Sequence, residues 1–145
     1  MTAEGQKKKA VIAQMGGYVS TPLGDSMRPM LRGRQDSVLV VAITRPVKRG
    51  DVLLYEASDG RHVLHRVVEV LEQGYRMRGD HCFGEEPILF DDSIIGILEG
   101  FWKKDKFYSC DKDKGYKRYV KFWLWSFPFR RLLARLTGAL RQENS

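Results

Sequence analysis

The sequence lacks the features that mark several common classes of protein. Its 145 residues include only two cysteines, Cys82 and Cys110, and three histidines, and no CxxC pair is present. This scarcity leaves no ligand spacing typical of a zinc site or another metal centre. Two isolated cysteines also fit a disulfide and a pair of reduced thiols equally well. We therefore expect neither a metal ion nor an organic cofactor.

Long apolar runs are missing as well. Near the N-terminus, three lysines (Lys7–Lys9) precede only four apolar residues, Ala10–Ala13. A signal peptide needs about 7–15 apolar residues and a membrane-spanning helix about 20. The sequence therefore predicts no signal peptide and no transmembrane helix, and a location in the cytoplasm or peripheral to a membrane. Residues 1–15 are expected to form a flexible basic N-terminus.

The positive charge is concentrated at one end of the chain. The formal net charge is +7, yet residues 1–111 contain 16 basic and 16 acidic residues. Residues 112–145 contain nine basic and two acidic residues, so all the excess charge lies there. The balanced first part offers no basic groove and no nucleic-acid motif, and we expect no nucleic acid as a partner. The excess positive charge therefore indicates the kind of partner that the C-terminal segment binds, and it says nothing about partners of the rest of the chain.

Short runs rich in β-branched residues predict a mainly β body. Ser37–Thr44 is the clearest of them, because it is apolar and is ended by Arg45-Pro46. Turn signals such as Ser58–Gly60 separate the other runs. The further candidate strands are 16–20, 51–56, 62–71, 75–78 and 93–98, with a hairpin whose tip is 103–106. The length fits one domain, which these strands place at residues 16–110.

Residues 111–145 differ in kind and are expected to be a basic, aromatic tail. Residues 112–121 have a basic, turn-like composition, and an aromatic block follows over 122–129. Arg130–Arg141 carries leucines at helical spacing, which predicts an amphipathic helix. Two interpretations stay open. The tail lies in a lipid interface whose anionic headgroups attract the arginines, or it packs on the β body.

Three side chains suited to nucleophilic catalysis follow one another along the β body. Ser26 lies in the turn-forming stretch Gly24–Leu31, His65 lies in a valine-rich strand, and Asp80 follows Gly79. A hydroxyl, an imidazole and a carboxylate can form a nucleophile, its base and the group that orients the base. Each also has a structural interpretation: Ser26 and Asp80 as turn residues, and His65 as a hydrogen-bonded core histidine.

Five motifs around these residues resemble, in order, the successive boxes of the type I signal peptidases and of the related peptidase domains of self-cleaving SOS and phage repressors. They are Gly24-Asp25-Ser26-Met27-Arg28-Pro29, Arg49-Gly50-Asp51-Val52, His65-Arg66-Val67, Gly79-Asp80 and Ile94-Ile95-Gly96. The resemblance covers roughly residues 16–100. It implies a coiled antiparallel β body and a serine peptidase that cleaves an extended peptide or protein substrate with small side chains before the scissile bond.

The resemblance also implies roles for individual residues. Ser26 corresponds to the nucleophile. His65 stands where the bacterial enzymes and the repressors have a lysine base, which is similar to the endoplasmic-reticulum and archaeal-type signal peptidases. Imidazole is already near its working pKa at neutral pH, whereas a lysine must first be desolvated. Asp80 corresponds to the acid that supports the histidine, and Glu85 and Glu86 are alternatives because the stretch after Asp80 departs from the family pattern.

The resemblance places Gly24, Asp25 and Met27 at the oxyanion site and substrate cleft. Many bacterial members have a serine at the position of Gly24, so the backbone N–H of Ser26 would carry most of the oxyanion stabilisation. One such donor is worth about 2.7–4 kcal/mol of barrier. The N-terminal membrane anchor of the signal peptidases is not found. An alternative is a catalytically weak peptide-binding or regulatory module that docks to a membrane or protein partner through its C-terminal tail.

Overall fold

Antiparallel strands form one sheet of eight in residues 1–84 and 86–138, the part of the chain that the computed structural model describes. The order across the sheet is β1-β2-β7-β3-β4-β5-β6, and β8 pairs with β7. The strands are β1 (Tyr18–Ser20), β2 (Ser37–Val41), β3 (Val52–Glu56), β4 (His62–Val70), β5 (Tyr75–Arg78), β6 (Ile88–Leu89), β7 (Ile94–Lys103) and β8 (Lys106–Ser109). With a helix at each end, the fold is mainly β with a helical C-terminal segment, as predicted.

The central strand β3 is buried on both faces and divides the core into two apolar clusters. Val52 and Leu54 pack into one cluster, whereas Leu53 packs into the other. This alternation follows from the two-residue period of a strand. In the β3–β4 register Leu53 lies opposite His65. Directly paired residues share a face, so His65 lies on the face of Leu53 and its neighbour Arg66 lies on the other.

The predicted strands are confirmed, with differences at their ends. Strand β2 stops at Val41, before the predicted Thr44, and β7 continues to Lys103, where it turns into β8. The predicted hairpin around residues 103–106 is therefore the β7–β8 connection. Strand β6 was missed, because the two residues after Pro87 are too few to show an alternating pattern.

Residues 3–15 form a helix, which corrects the expectation of a flexible N-terminus. Helix α1 (Ala3–Met15) begins after Thr2, whose side chain accepts from the N–H of Gly5, and it ends at Gly16 with φ 81°. That left-handed conformation favours glycine and commonly ends helices. Ile12 is buried in the larger apolar cluster, and the Thr2 N–H donates to the Glu56 carboxylate at 2.8 Å. These caps and one buried side chain fix the helix.

The C-terminal segment forms one long helix, α2 (Lys114–Thr137). The expectation of a turn-like stretch at 112–121 is wrong, because the Asp113 side chain caps the helix by accepting from the N–H of Tyr116 at 2.7 Å. The predicted helix 130–141 corresponds to its last part, and residues 139–141 lie outside the described residues. Four apolar side chains of α2 are buried: Tyr116, Leu124, Phe127 and Ala134. Neither described helix is long and apolar enough to cross a membrane.

Candidate active site

A single cleft of about 1740 Å³ brings together most of the predicted site residues. Its lining includes Ser26 and His65, the predicted nucleophile and base, together with Gly24, Asp25 and Met27. The loop after β1 supplies four of these residues, and β4 supplies the histidine. Residues that are 39 positions apart in the sequence therefore face one space.

Gly79 lies beside both Ser26 and His65. A Cβ atom on Gly79 would lie 2.6 Å from the Ser26 carbonyl oxygen, 3.0 Å from Nε2 of His65 and 2.6 Å from Sγ of Cys82. Only a hydrogen atom fits between these groups, so the Gly79-Asp80 motif requires its glycine for close approach. The N–H of His81 also donates to the Ser26 carbonyl at 2.8 Å, which holds the serine loop against the chain after β5.

The hydroxyl of Ser26 is not hydrogen-bonded to His65 among the contacts of the described residues. Nucleophile–base distances are often long in unliganded enzymes and shorten when substrate binds. The two residues are therefore neighbours across Gly79 without a formed dyad.

The loop that carries Ser26 is held by its own polar groups. Asp25 accepts from Nε of Arg28 at 2.8 Å and from the N–H of Gly33 at 3.0 Å. These hydrogen bonds lower the pKa of Asp25. Gly33 packs so closely on the Gly24 carbonyl that a Cβ atom would overlap it. The hydrogen bonds of Asp25 therefore stabilise the conformation of the loop. Gly24 lines the cleft and has no atom within 4 Å of the position of a Cβ atom.

Two methionines fasten the same loop to the core. Met27 is 4% exposed, and its sulfur lies 3.4 Å from the N–H of Asp80, so its side chain forms the floor of the cleft. The Met30 carbonyl accepts from Nζ of Lys103 at 2.7 Å, and the same ammonium group binds the buried Asp36 at 2.8 Å. The loop is thus tied to both β5 and β7.

His65 has a tyrosine as its side-chain partner. The hydroxyl of Tyr55 lies 3.3 Å from Nδ1 of His65, while Nε2 points toward Gly79. Burial lowers the pKa of His65 to about 4, although the charge of Asp80 acts in the opposite direction. Burial also raises the pKa of Tyr55 to about 12. At neutral pH the imidazole is therefore neutral and the phenol keeps its proton.

Asp80 does not bind His65, which corrects the role that the resemblance implied for it. Its Oδ1 accepts from Nε of Arg66 at 2.7 Å, and its Oδ2 accepts from Nη2 of Arg66 at 2.8 Å and from the Tyr119 hydroxyl at 2.7 Å. Adjacent strand residues point to opposite faces, so a carboxylate that binds Arg66 cannot also reach Nδ1 beside Tyr55. Its charge reaches the imidazole only through space.

Of the two alternative acids, Glu86 lies among the described residues and does not bind His65 there. The carboxylate of Glu86 accepts from Nη1 of Arg78 at 2.7 Å, which occupies it in a separate ion pair. Glu85 lies outside the described residues. No described group of three or more His, Cys, Asp or Glu side chains could hold a metal ion.

Arg66 is one of the most buried side chains, at 1% exposure. Besides Asp80, its Nη1 donates to the Gly50 carbonyl at 2.8 Å and to the Tyr116 hydroxyl at 3.1 Å. Burial lowers the pKa of Arg66, but the Asp80 carboxylate outweighs this and raises the pKa above its usual value. The guanidinium is thus a paired structural charge.

Helix α2 covers Asp80 from outside the sheet. Nε1 of Trp123 donates to the Asp80 carbonyl at 2.8 Å, in addition to the bond from Tyr119. Further along, Phe127 stacks on Phe83 with ring centroids 6.3 Å apart. These contacts were missed, although Tyr116, Tyr119, Trp123 and Phe127 follow the helical spacing i, i+3, i+7 and i+11.

Tyr55 was missed because its role depends on strand register. In the sequence it is one aromatic residue in an apolar strand, and nothing there marks its hydroxyl. The signal is its position two residues after Leu53, which pairs with His65 across β3 and β4. The contact between Tyr55 and His65 can be predicted only when the β3–β4 register is known.

Compared with known proteins, the chain matches no protein-family model and no curated protein sequence. The interpretation of the cleft therefore depends on its own geometry and on the motifs that resemble the signal peptidases.

Proposed function

We propose that this chain is a serine endopeptidase in which Ser26 is the nucleophile and His65 is the general base. One observation carries the proposal: Ser26 and His65 line the same large cleft, and the Ser26 carbonyl oxygen and Nε2 of His65 both lie within 3.0 Å of the point where a Cβ atom on Gly79 would stand. The mechanism then requires the Ser26 hydroxyl to come within hydrogen-bond distance of Nε2 when substrate binds. Nucleophilic catalysis requires such a pair within hydrogen-bond reach.

The reaction follows from the protonation states. Nε2 of His65 takes the proton of the Ser26 hydroxyl while Oγ attacks the carbonyl carbon of a peptide bond. The C–N bond then breaks, the imidazolium gives its proton to the leaving amine, and an acyl-enzyme remains. Water, deprotonated by the same imidazole, hydrolyses this ester. The low pKa of His65 keeps the base neutral before each attack.

Tyr55 acts as a positioning residue in this mechanism. When the Nδ1–H of His65 donates to the Tyr55 hydroxyl, the proton is fixed on Nδ1 and the lone pair of Nε2 faces Ser26. The oxygen that accepts this bond stays a neutral phenol, because burial raises its pKa to about 12. A neutral group thus takes the place that the resemblance gave to Asp80.

The backbone of the serine loop supports oxyanion stabilisation. Among the described residues, no hydrogen bond uses the N–H of Ser26 as donor. That N–H is therefore available to the oxygen on which negative charge develops, and an oxyanion donor of this kind is worth about 2.7–4 kcal/mol.

The substrate class is an extended segment of peptide or protein. Strand β1 lies at one end of the strand order and borders the cleft through Tyr18 and Ser20. A free strand edge accepts an extended chain through backbone hydrogen bonds. Small side chains before the scissile bond remain the expectation from the resemblance.

A phosphonylating serine probe tests the proposal directly. Intact-mass measurement should show one label on the wild type, none on Ser26→Ala and a rate roughly 10²–10⁴-fold lower for His65→Ala. Ser58→Ala is the matched control, because Ser58 lines the same cleft away from β1 and its loss should leave labelling unchanged. Labelling that persists in Ser26→Ala would contradict the assignment of the nucleophile.

The pH dependence of labelling tests the environment of His65. Because the neutral imidazole is the base, the rate should stay level from pH 9 to about 6 and fall to half near pH 4. The folded pKa lies below the unfolded value of about 6.5, so stability also decreases as pH falls through this window. Circular dichroism at each pH separates unfolding from titration. A half-point near 6.5 in the folded protein would show a solvated histidine instead.

A second candidate function is a catalytically weak peptide-binding module. The observation that favours it is that no hydrogen bond joins the Ser26 hydroxyl and His65 among the described residues. A folded wild type that takes no label and still binds extended peptides in the cleft would support this alternative.

A further inference from the structure

The outward face of α2 carries a continuous apolar stripe. Six large side chains of this helix are between 56% and 75% exposed: Phe122, Trp125, Phe129, Leu132, Leu133 and Leu136. At ~100° per residue they fall within an arc of about 100°, on the side opposite the buried Tyr116, Phe127 and Ala134. An exposed apolar surface of this extent usually marks an interaction site.

Aromatic rings form the first half of the stripe and touch one another. The ring of Trp125 lies 6.2 Å from that of Phe122 and 5.8 Å from that of Phe129. Tryptophan and phenylalanine on one face of a helix, followed by leucines, are typical of helices that lie in a membrane interface.

Every charged residue of α2 is a cation. Helix α2 has no acidic residue between Lys114 and Thr137, while it has seven lysines and arginines. Lys117, Arg118 and Lys121 are exposed near its first half, and Arg135 is exposed near its end. A surface that combines this charge with the stripe is complementary to a partner that is both apolar and anionic.

A second element adds cations beside the stripe. A groove of about 880 Å³ is lined by Lys117, Lys121 and Trp125 of α2 and by Lys48 and Arg49 of the loop between β2 and β3. The acidic lining residues are Asp51, Glu99 and Asp111, and the first of these is already bound by Arg45 and Lys48. The groove therefore keeps an excess of positive charge next to Trp125.

We propose that α2 binds the surface of an anionic lipid bilayer. The stripe enters the boundary between headgroups and acyl chains, and the cations of α2 and of the groove bind lipid phosphates. A second copy of the chain fits less well, because pairing the two stripes would bring the five exposed lysines and arginines of one α2 against those of the other. The proposal is independent of peptidase activity.

Vesicle sedimentation tests the proposal on the full chain. We expect binding to phosphatidylcholine vesicles that contain phosphatidylglycerol, weak binding to pure phosphatidylcholine, and a shift of tryptophan emission to shorter wavelength. Replacing three exposed stripe residues together (Trp125→Ala, Phe129→Ala, Leu132→Ala) should weaken binding at least roughly tenfold. Phe90→Ala is the matched control, because Phe90 is 52% exposed and lies outside α2.

Charge variants separate local recognition from net charge. Lys117→Gln with Lys121→Gln should weaken binding to anionic vesicles roughly tenfold or more, since each cation near the surface contributes about fivefold. Lys7→Gln with Lys9→Gln removes the same charge from exposed positions of α1 and should have a smaller effect.

Three outcomes would overturn the proposal. The first is no binding to anionic vesicles by the folded wild type. The second is equal loss from the α1 and α2 charge pairs, which would mean that net charge alone drives binding. The third is a dimer in sedimentation velocity that the stripe variants dissociate, because the stripe would then belong to a second copy of the chain. Circular dichroism verifies that each variant is folded.

Discussion

His65 and Arg66 are neighbours in β4, yet their surroundings have little in common. His65 faces a cleft of about 1740 Å³, has the Tyr55 hydroxyl as its hydrogen-bond partner, and has its pKa lowered to about 4 by burial. Arg66 is 1% exposed and donates to Asp80, Gly50 and Tyr116. A buried ionic group with all its hydrogen bonds satisfied serves stability, whereas a perturbed group with one weak partner beside a cleft is a candidate for chemistry.

The largest expected effect is a loss of stability when the buried ion pair between Arg66 and Asp80 is broken. Asp80→Ala leaves a buried guanidinium without its counter-ion, which costs about 3–5 kcal/mol of unfolding free energy. The melting temperature should fall by roughly 10–20 °C. Circular dichroism recorded during heating measures this fall in melting temperature.

The matched control for Asp80→Ala removes both charges. Arg66→Met combined with Asp80→Ala should recover much of the lost stability, because no uncompensated ion remains. If Asp80→Ala kept the wild-type melting temperature and lost probe labelling, the aspartate would instead support His65 directly.

A smaller effect is expected at Gly79, which lies beside both Ser26 and His65. Gly79→Ala inserts a methyl group 2.6 Å from the Ser26 carbonyl and 3.0 Å from Nε2 of His65, so the two must move apart. Because a displacement of about 1 Å can cost about a hundredfold in rate, probe labelling should fall by that order. Gly24→Ala is the comparison, since its Cβ would meet nothing within 4 Å. Equal labelling of both variants would contradict the close approach.

The smallest effect on the labelling rate is expected from removing the Tyr55 hydroxyl, the hydrogen-bond partner of His65. Tyr55→Phe removes one neutral hydrogen bond, which is worth about 0.5–1.5 kcal/mol, and should slow labelling by up to about tenfold. Nitrogen NMR of the ring should show that the proton is no longer confined to Nδ1. Tyr75→Phe removes a hydroxyl on β5 and should change neither quantity. An unchanged tautomer in Tyr55→Phe would mean that another group positions His65.

The strands of the sheet could be predicted from the sequence because their signals are local. The β-branched runs at Ser37–Val41 and His62–Val70 mark strands by composition alone. The motifs that resemble the signal peptidases led us to expect Ser26 and His65 at one site, and both residues line the cleft of about 1740 Å³.

The missed features depend on contacts that are distant in the sequence. Asp80 was expected to bind the histidine, and the choice between His65 and Arg66 depends on which face of β4 the carboxylate approaches. The first half of α2 looked like a turn because lysines and aromatics mask its period, and its buried face is defined only by the sheet beneath. The role of the Tyr55 hydroxyl cannot be predicted until the β3–β4 register is known.

Helix α2 binds Asp80 through two hydrogen bonds, and these bonds couple local unfolding of the helix to that of the sheet. The carbonyl of Asp80 accepts from Trp123 and its carboxylate from Tyr119, while the same carboxylate neutralises Arg66 inside the sheet. Detaching the helix therefore exposes the ion pair of β4 to water. Amide hydrogens on the buried side of α2 and in the middle of β4 should then exchange with deuterium through one shared opening, as a single cooperative unit.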